Sequence, residues 1–505
     1  MLADYDGPAI QLGTGGISGP TEEEEEGKGS YYVPNSYVYF GVNSGNSSTP
    51  IKWRVLDADT ANDGTTSGMF LLSEYLLASD VQFNSNYSKG NAYQGSDAQT
   101  WCSSFVGNTS NFSTAEQAVM FGVAKTDSGE SGLYSIPWGE SRLTANDKLF
   151  FLSVRELADY VGNYCDAPGL AATNTAQSAG VWWLRSPDSG IGYYTGTVYD
   201  DGEVVNSLVN HDWAARPAFN LNSSSVLFTS AAVGGKPDGG LTPISKYTGN
   251  EWKLTLKDSN RNFAVTETTV SGDPGDTLTL HYNGATTGIN EYISVILADN
   301  SGAQYYGRVA QPTEATGTVE IEIPSDLAPG SYTLKVFSEQ YNGDRKTDYA
   351  SNFTNIALTA GKQVDEQFAL TCGSTYYFDL SGAGIPGTAN SNLPDNTLRY
   401  VPFTYAGTVD AYKLTSAMAT TEEYAQQNKY PHSLFIADYN VTHKINWDDL
   451  NTANLIFGKD YAASGVDYTL RAPSVGSRYT GSGESQRGTP QSNEWDRVLD
   501  KDDGY

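Results

Sequence analysis

The sequence predicts a multidomain protein that mixes α+β and all-β units, and three observations lead there. Its 505 residues, at about 100–200 per domain, make about three domains. Residues 250–358 alternate apolar and polar positions with period two. Turn signals such as GDPGD, DNSG and LAPG interrupt the alternation, which is the pattern of a β-sandwich. The chain also holds 34 Tyr and 52 Gly in short runs rather than long helical stripes, a composition suited to strands and turns.

The elements follow in order. Residues 1–30 are Gly-rich and carry EEEEE at 22–26, which reads as a disordered acidic lead-in. From 31 to 235, SYVYFGV, IKWRVLDAD and GMFLLSEYLLAS read as strands. SDAQTWCSSFVGN and STAEQAVMFGVA read as short helices opened by serine caps. DKLFFLSVRELADYVGNY reads as a strand and then a helix, with SVRE as a capping box. A Gly/Pro-rich linker is expected over 236–249, a sandwich over 250–360 and a third unit over 361–505. In that unit TYYFDLSG, LRYVPFTYAG and HSLFIADYN read as strands and TEEYAQQNK as a helix. NWDDLNTANLIFGKDY reads as an amphipathic helix starting at Asn446 or Trp447, with Leu450, Ala453, Leu455 and Ile456 at helical spacing.

Composition narrows the function classes. A formal charge of −29 repels nucleic-acid phosphate and anionic lipid, so neither is expected as a partner. No run approaches the ~20 apolar residues of a membrane helix, so no membrane insertion is expected. The opening MLADYDGPAIQLGTGG lacks the basic and apolar regions of a signal peptide. Either the protein is cytoplasmic or the start is a mature or incomplete one. Cys102, Cys165 and Cys372 show no C-x-x-C spacing; Cys102 and Cys165 form either a bridge or, the preferred reading, isolated buried thiols. His211, His281, His432 and His443 are scattered, and no metal site or cofactor is expected. DADTANDGTTSG lacks the spacing of a calcium loop and reads as a turn. There is no G-x-S-x-G, H-E-x-x-H, P-loop or dinucleotide fingerprint, so no catalytic residues are expected.

The residues that stand out form a bracket. VWWLRSP (181–187) and ARPAFNL (215–221) enclose a polar, aromatic stretch in which GTVYDDGEVV reads as a hairpin turning at Asp201-Gly202. Trp182, Trp183 and Leu184 read as core, with Arg185 and Arg216 as buried or interfacial anchors satisfied by carboxylates. The expected binding residues are Asp188, Tyr193, Tyr194, Tyr199, Asp200, Glu203, Asn206, Asn210, His211, Asp212 and Trp213. Tyr and Trp give rigid contact area, and the small polar residues give adaptable hydrogen bonds.

Two resemblances add to this. WWLRSP…RPAFNL, together with PIKWRVLD, GMFLLSEYLL, DAQTWCSSF and DKLFFLSVRELADY in that order, resembles a domain of unknown function in surface proteins of gut bacteria. That implies a C-type-lectin-like fold. The Tyr/Asn/Asp/Ser-rich stretch inside the bracket is similar to the variable regions of retroelement-diversified C-type-lectin proteins. PGDTLTLHY and APGSYTLKVF resemble bacterial immunoglobulin-like modules, which usually serve as spacers. INWDDLNTANLIF, YTLRAP and TPQSNEWDRVL resemble the C-type lectin fold of formylglycine-generating enzymes, through Trp447, Asp448, Asp449, Arg471, Pro473, Pro490, Glu494, Trp495 and Asp496. Trp495 is expected to pack inward as scaffold, with Glu494 or Asp496 binding Arg471. That family's catalytic cysteines and metal ligands follow the E-W helix, so this last lectin-like domain is expected to be incomplete at its C-terminus.

The leading expectation is a non-catalytic, adhesin-like binding protein, extracellular or at the cell surface. Its target would be a protein or glycan on another cell, a phage or a host surface. The alternatives are an enzyme of the formylglycine-generating, sulfatase-modifying type with its chemistry beyond residue 505, and a structural stalk.

Overall fold

The computed structural model describes residues 7–328, 330–361, 370–413, 422–463, 466–475 and 493–499. Strand makes up 43% of the structure and helix 10%, so strand pairing dominates the architecture. The chain divides into two compact units. The first comprises 1–270, 277–324 and 332–358, and the second 271–276, 325–331 and 359–505. Among the described residues no helix is long and apolar enough to cross a membrane.

A continuous sheet organises the first unit. Its path runs through Leu149–Phe151, Pro217–Leu221, Met69–Ser73, Thr49–Asp57, Tyr37–Asn43, Glu251–Lys257, Asp348–Ala350, Gly330–Gln340, Glu291–Asp299, Gly302–Ala310 and Gly239–Pro243. Met69–Ser73 and Pro217–Leu221 are buried at every position, because the sheet is covered on both faces there. Rings lock the layers: Trp53 meets Phe219 edge-on at 4.6 Å and Phe40 stacks on Phe219 at 5.2 Å.

This path corrects two expectations. The Gly/Pro-rich segment 236–249 is not a bare linker, since Gly239–Pro243 pairs with Gly302–Ala310 and the Lys236 side chain is fully buried. Residues 250–358 do not stand apart from the first 235 either. Glu251–Lys257 pairs in parallel with Tyr37–Asn43 and antiparallel with Val226–Ala231. EWKLTLK had read as a period-two strand, yet it is buried at five successive positions because it lies inside this joint sheet. The strand Thr277–Asn283 does alternate strictly, packing one face inward within a smaller sheet with Ala264–Val265 and Thr316–Glu322.

The acidic lead-in is also ordered. Thr21–Glu25 pairs residue by residue with Gly29–Val33 across a turn in which Gly27 takes φ +78°. The β-forming Tyr31 and Tyr32 lie opposite the glutamates, and the Tyr164 hydroxyl donates to Glu25 at 2.7 Å. Cross-strand partners outweigh the charge repulsion that composition alone emphasises.

A second sheet carries the first half of the bracket and the hairpin, in the order Val204–Leu208, Tyr194–Val198, Trp182–Pro187, Trp213–Ala215 and Ala78–Val81, while Pro217–Leu221 belongs to the first sheet. Trp182 and Trp183 are fully buried, and their indole N–H groups donate to the carbonyls of Leu170 (3.1 Å) and Val81 (2.6 Å). The expected serine caps are present at Ser96, Ser113 and Ser153, the last two as full capping boxes. Cys102, Cys165 and Cys372 are free thiols.

Buried charge fixes the bracket in place. The Arg185 guanidinium donates to both Glu156 carboxylate oxygens, to Asp127 and to the Phe151 carbonyl. Lys125 joins Glu156 at 2.9 Å and Asp127 at 3.1 Å. Glu156 is at once the capping-box residue of the helix Val154–Tyr160 and the counterion of Arg185, so it ties that helix to the strand Trp182–Pro187. Burial pushes the Glu156 carboxyl up, but the charges of Arg185 and Lys125 and its hydrogen bonds outweigh this and hold it down to about 2. Arg216 departs from expectation. It donates to the carbonyls of Ser73 and Gly169, both at 3.0 Å, and lies over the Trp182 ring at 4.8 Å, with no carboxylate paired with it among the described residues. Burial, then the nearby charge of Arg54, lowers its pKa to about 9.

The second unit contains a three-stranded sheet of Thr375–Phe378, Val401–Tyr412 and Lys429–Ala437. The helix Trp447–Thr452 has Asn446 as its cap in a capping box with Asp449. It is shorter than its apolar spacing predicts, because Asn454 turns the chain at φ +61° before Leu455 and Ile456 reach the core. Arg471 grips Glu494 through both terminal nitrogens, one at 2.7 Å, as the sequence suggests. The Ser474 N–H and the His432 ring also meet Glu494, at 2.8 and 2.7 Å. Trp495 is 42% exposed, which corrects its assignment to the core: on this five-residue helix Glu494 takes the inward position. Pro490 lies outside the described residues.

Glu156 has a folded pKa below its ordinary 4.5, so its stabilisation is present above that value and is lost as pH falls toward 2. Glu156→Gln is expected to destabilise the first unit by about 3–5 kcal/mol at neutral pH, the usual effect of breaking a buried pair. In urea melts run from pH 7 to pH 2, the gap between variant and wild type should close below pH 4.5.

Candidate functional site

The hairpin inside the bracket forms as expected. Tyr194–Val198 pairs with Val204–Leu208 in continuous antiparallel register. Its turn is longer than two residues: the Tyr199 N–H donates to the Glu203 carbonyl at 2.8 Å, and Gly202 takes φ +93°. A Cβ on Gly202 would press to 3.2 Å from the Asp166 backbone, so both the conformation and the close approach favour glycine.

Ahead of the hairpin, residues 188–193 form a tightly braced loop. Asp188 Oδ1 accepts the N–H groups of Gly190 (2.6 Å) and Ile191 (3.0 Å), while its Oδ2 accepts from the Asn206 amide. The Asn91 amide donates to three loop carbonyls, those of Asp188 (2.9 Å), Ile191 (3.2 Å) and Tyr194 (2.7 Å). The Ser189 N–H and hydroxyl both donate to the Pro137 carbonyl, at 3.0 and 2.9 Å. Asp188 is therefore buried, with both carboxylate oxygens engaged by the loop and by Asn206. The Asn206 side chain is half-buried and spends an amide N–H on Asp188.

The braced loop presents apolar surface to solvent. Tyr193 is 46% exposed and Ile191 38%, and beside them stands Tyr87 at 60%. Tyr87 meets Tyr193 edge-on at 6.2 Å, and Tyr193 meets Tyr194 at 5.4 Å. Tyr87 sits on a single 3-10 turn whose cap is the Asn86 side chain and whose Lys89 pairs with Asp97 at 2.5 Å. A second aromatic group gathers Trp213 with His211 at 5.2 Å and Tyr199 at 6.5 Å, both edge-on. Asp200, Glu203, His211 and Asp212 are exposed; Tyr194, Tyr199, Asn210 and Trp213 are half-buried. Nine of the eleven expected residues thus reach solvent without a loop-bracing role; seven divide between two aromatic groups and an acidic turn, and Asn210 and Asp212 flank His211 in the chain.

Residues 66–223 match the family model of a domain of unknown function, DUF6273. No curated protein matches the chain. The DUF6273 segment contains both halves of the bracket, the braced loop and Tyr87, so the candidate surface lies wholly within the matched residues.

Two side chains of this unit with nucleophilic or acid–base chemistry are already engaged or buried. Burial pushes the Cys102 thiol up to about 12. A polar cleft of about 310 Å³ includes Glu116 in its lining, but that carboxylate is spent on the N–H groups of Gly41 (3.0 Å) and Ser113 (2.8 Å).

Tyr87 and Asn91 were missed in sequence. The NSNYSKGN context marks a turn, and nothing local shows that it folds against residues about a hundred positions away. Asn91→Ala is expected to leave the Asp188 carbonyl without its donor, remove one of two donors from the Ile191 and Tyr194 carbonyls, and speed amide exchange across 189–194, while the Trp182–Pro187 strand keeps its protection. Hydrogen-exchange mass spectrometry would read both segments.

Proposed function

We propose that the first unit is a non-catalytic binding module of C-type-lectin-like type. Its ligand, a protein or glycan on another cell, a phage or a host surface, would rest on the aromatic surface inside the bracket. The observation that carries this reading is the pairing of exposure with rigidity: Tyr87, Ile191 and Tyr193 stand in solvent on loops held by Asp188 and Asn91. Large apolar side chains exposed together mark recognition surfaces, and rings already fixed lose little entropy on binding. Tyrosines offer faces for stacking on sugar or aromatic groups and hydroxyls for polar contacts. The acidic turn with Asp200, Asp201 and Glu203 adds a polar rim.

On this reading the protein acts outside the cell or at its surface. Residues 250–358 serve as an immunoglobulin-like support, and the second unit is a further lectin-like domain of the formylglycine-generating type without catalytic duty. The Tyr-, Asn- and Asp-rich stretch from 188 to 213 is a position where retroelement diversification could vary contacts over an unchanging frame.

A glycan and protein array probed with the full chain and with Tyr87→Ala/Tyr193→Ala tests the surface. Both side chains are largely exposed, so the double variant should melt at the wild-type temperature. It should lose at least about tenfold in affinity for whatever the wild type captures, the effect of removing a hot-spot residue. Undiminished capture by the variant would rule this surface out. Copies of the gene within one genome give a second check: substitutions should concentrate in 188–213 and spare 181–187 and 215–221, and an even spread would count against diversification.

A further inference from the structure

In the joint sheet of the first unit, four charged side chains meet in a sealed compartment. Lys236, Glu339 and Asp348 have no side-chain exposure, and Lys253 has 2%. Lys236 Nζ touches Asp348 Oδ2 and lies 2.5 Å from Glu339 Oε1. Lys253 Nζ lies 2.8 Å from the same Asp348 oxygen, and the Asn342 N–H donates to Asp348 Oδ1 at 2.8 Å. Glu339 Oε2 is fixed by the hydroxyls of Ser294 (2.6 Å) and Tyr306 (2.8 Å). Phe228 and Tyr341 wall the lysines, with ring centroids 4.9 Å from Lys236 and 4.5 Å from Lys253, and Arg308 closes over Tyr341 at 4.0 Å.

We propose that Lys236 and Asp348 condense into an intramolecular isopeptide bond, with Glu339 as the proton carrier. An amine and a carboxyl held in contact react at high effective concentration. Proton transfer between them removes two charges that the buried site otherwise has to keep without water. Lys236 first passes one ammonium proton to Glu339, which delivers it to Asp348 Oδ2. The freed nitrogen lone pair attacks Asp348 Cγ, and the resulting oxyanion on Oδ1 is received by the Asn342 N–H. A second proton travels from nitrogen through Glu339 to Oδ2. The Cγ–Oδ2 bond then breaks and water leaves. One N–C bond replaces one C–O bond, no oxidant or cofactor is consumed, and Glu339 returns to its starting state. Lys253 neutralises the carboxyl during the reaction and remains as the counterion of Glu339 afterwards. Four buried charges thereby become two, whereas an unreacted quartet must bear the desolvation of all four.

The full chain, purified and denatured, should weigh one water less than its sequence mass. Its tryptic digest should contain a branched peptide joining Lys236 to Asp348. Lys236→Arg keeps the cation but cannot condense, and Glu339→Gln removes the proton carrier; both should weigh their full sequence mass and yield only linear peptides. The decisive measurement is made on the wild type, so a variant that folds poorly does not obscure it. Wild-type protein at full sequence mass with linear peptides only would overturn the proposal. A branch rooted on Lys253 would overturn this assignment of the nucleophile. Neither result bears on the aromatic surface, which is tested separately.

Discussion

One buried guanidinium governs the geometry of the candidate surface. Arg185 is fully enclosed, and its counterions come from two separate places in the chain: Asp127 on a short strand and Glu156 at the start of a helix, with Lys125 as a second cation against both carboxylates. Removing any one of these leaves charge stranded where water cannot reach it. The strand Trp182–Pro187 is therefore held in one position, and the loop that leaves it at Asp188 starts from a fixed point. Asp188 and Asn91 then spend their own polar groups on that loop's backbone. The order is hierarchical: ion pairs fix the strand, amide hydrogen bonds fix the loop, and the loop fixes the rings.

Much of this was legible in the sequence, for local physical reasons. A capping box needs residues three apart, so S-V-R-E announces Ser153 and Glu156 directly. The hairpin is local as well, and Arg471 with Glu494 follows from a resemblance over a short span. The surface character of Tyr193, Glu203 and His211 followed from their flanking polar and glycine residues. What could not be read depends on partners far along the chain. Glu22–Glu25 looks disordered by charge, yet it has Tyr31 and Tyr32 across the ladder and Tyr164 beyond. Arg216 looks like the twin of Arg185, but carbonyl oxygens and an indole face surround it instead. Lys236 lies in a Gly/Pro-rich run that reads as linker, and only the tertiary fold draws it inward.

The errors share a cause. Composition and periodicity report what a segment would do alone, whereas burial is set by what arrives against it. Trp495 shows this at the scale of one turn: a tryptophan is a reasonable core residue, but Arg471 and His432 claim the neighbouring Glu494, and the helix is too short to bury both faces.

The parallel pairing of Glu251–Lys257 with Tyr37–Asn43 separates two ideas of a domain. The stretch that has relatives, 66–223, begins after two strands that complete its own sheet and ends before the strand that borders them. The stretch that matches the family model and the folding unit are thus different lengths of chain. Excised at its similarity boundaries, the segment would lose Tyr37–Asn43 and Thr49–Asp57 and bare the backbone of Met69–Ser73 along one edge. To keep that sheet closed, the matched segment needs those strands supplied by flanking residues or by another chain.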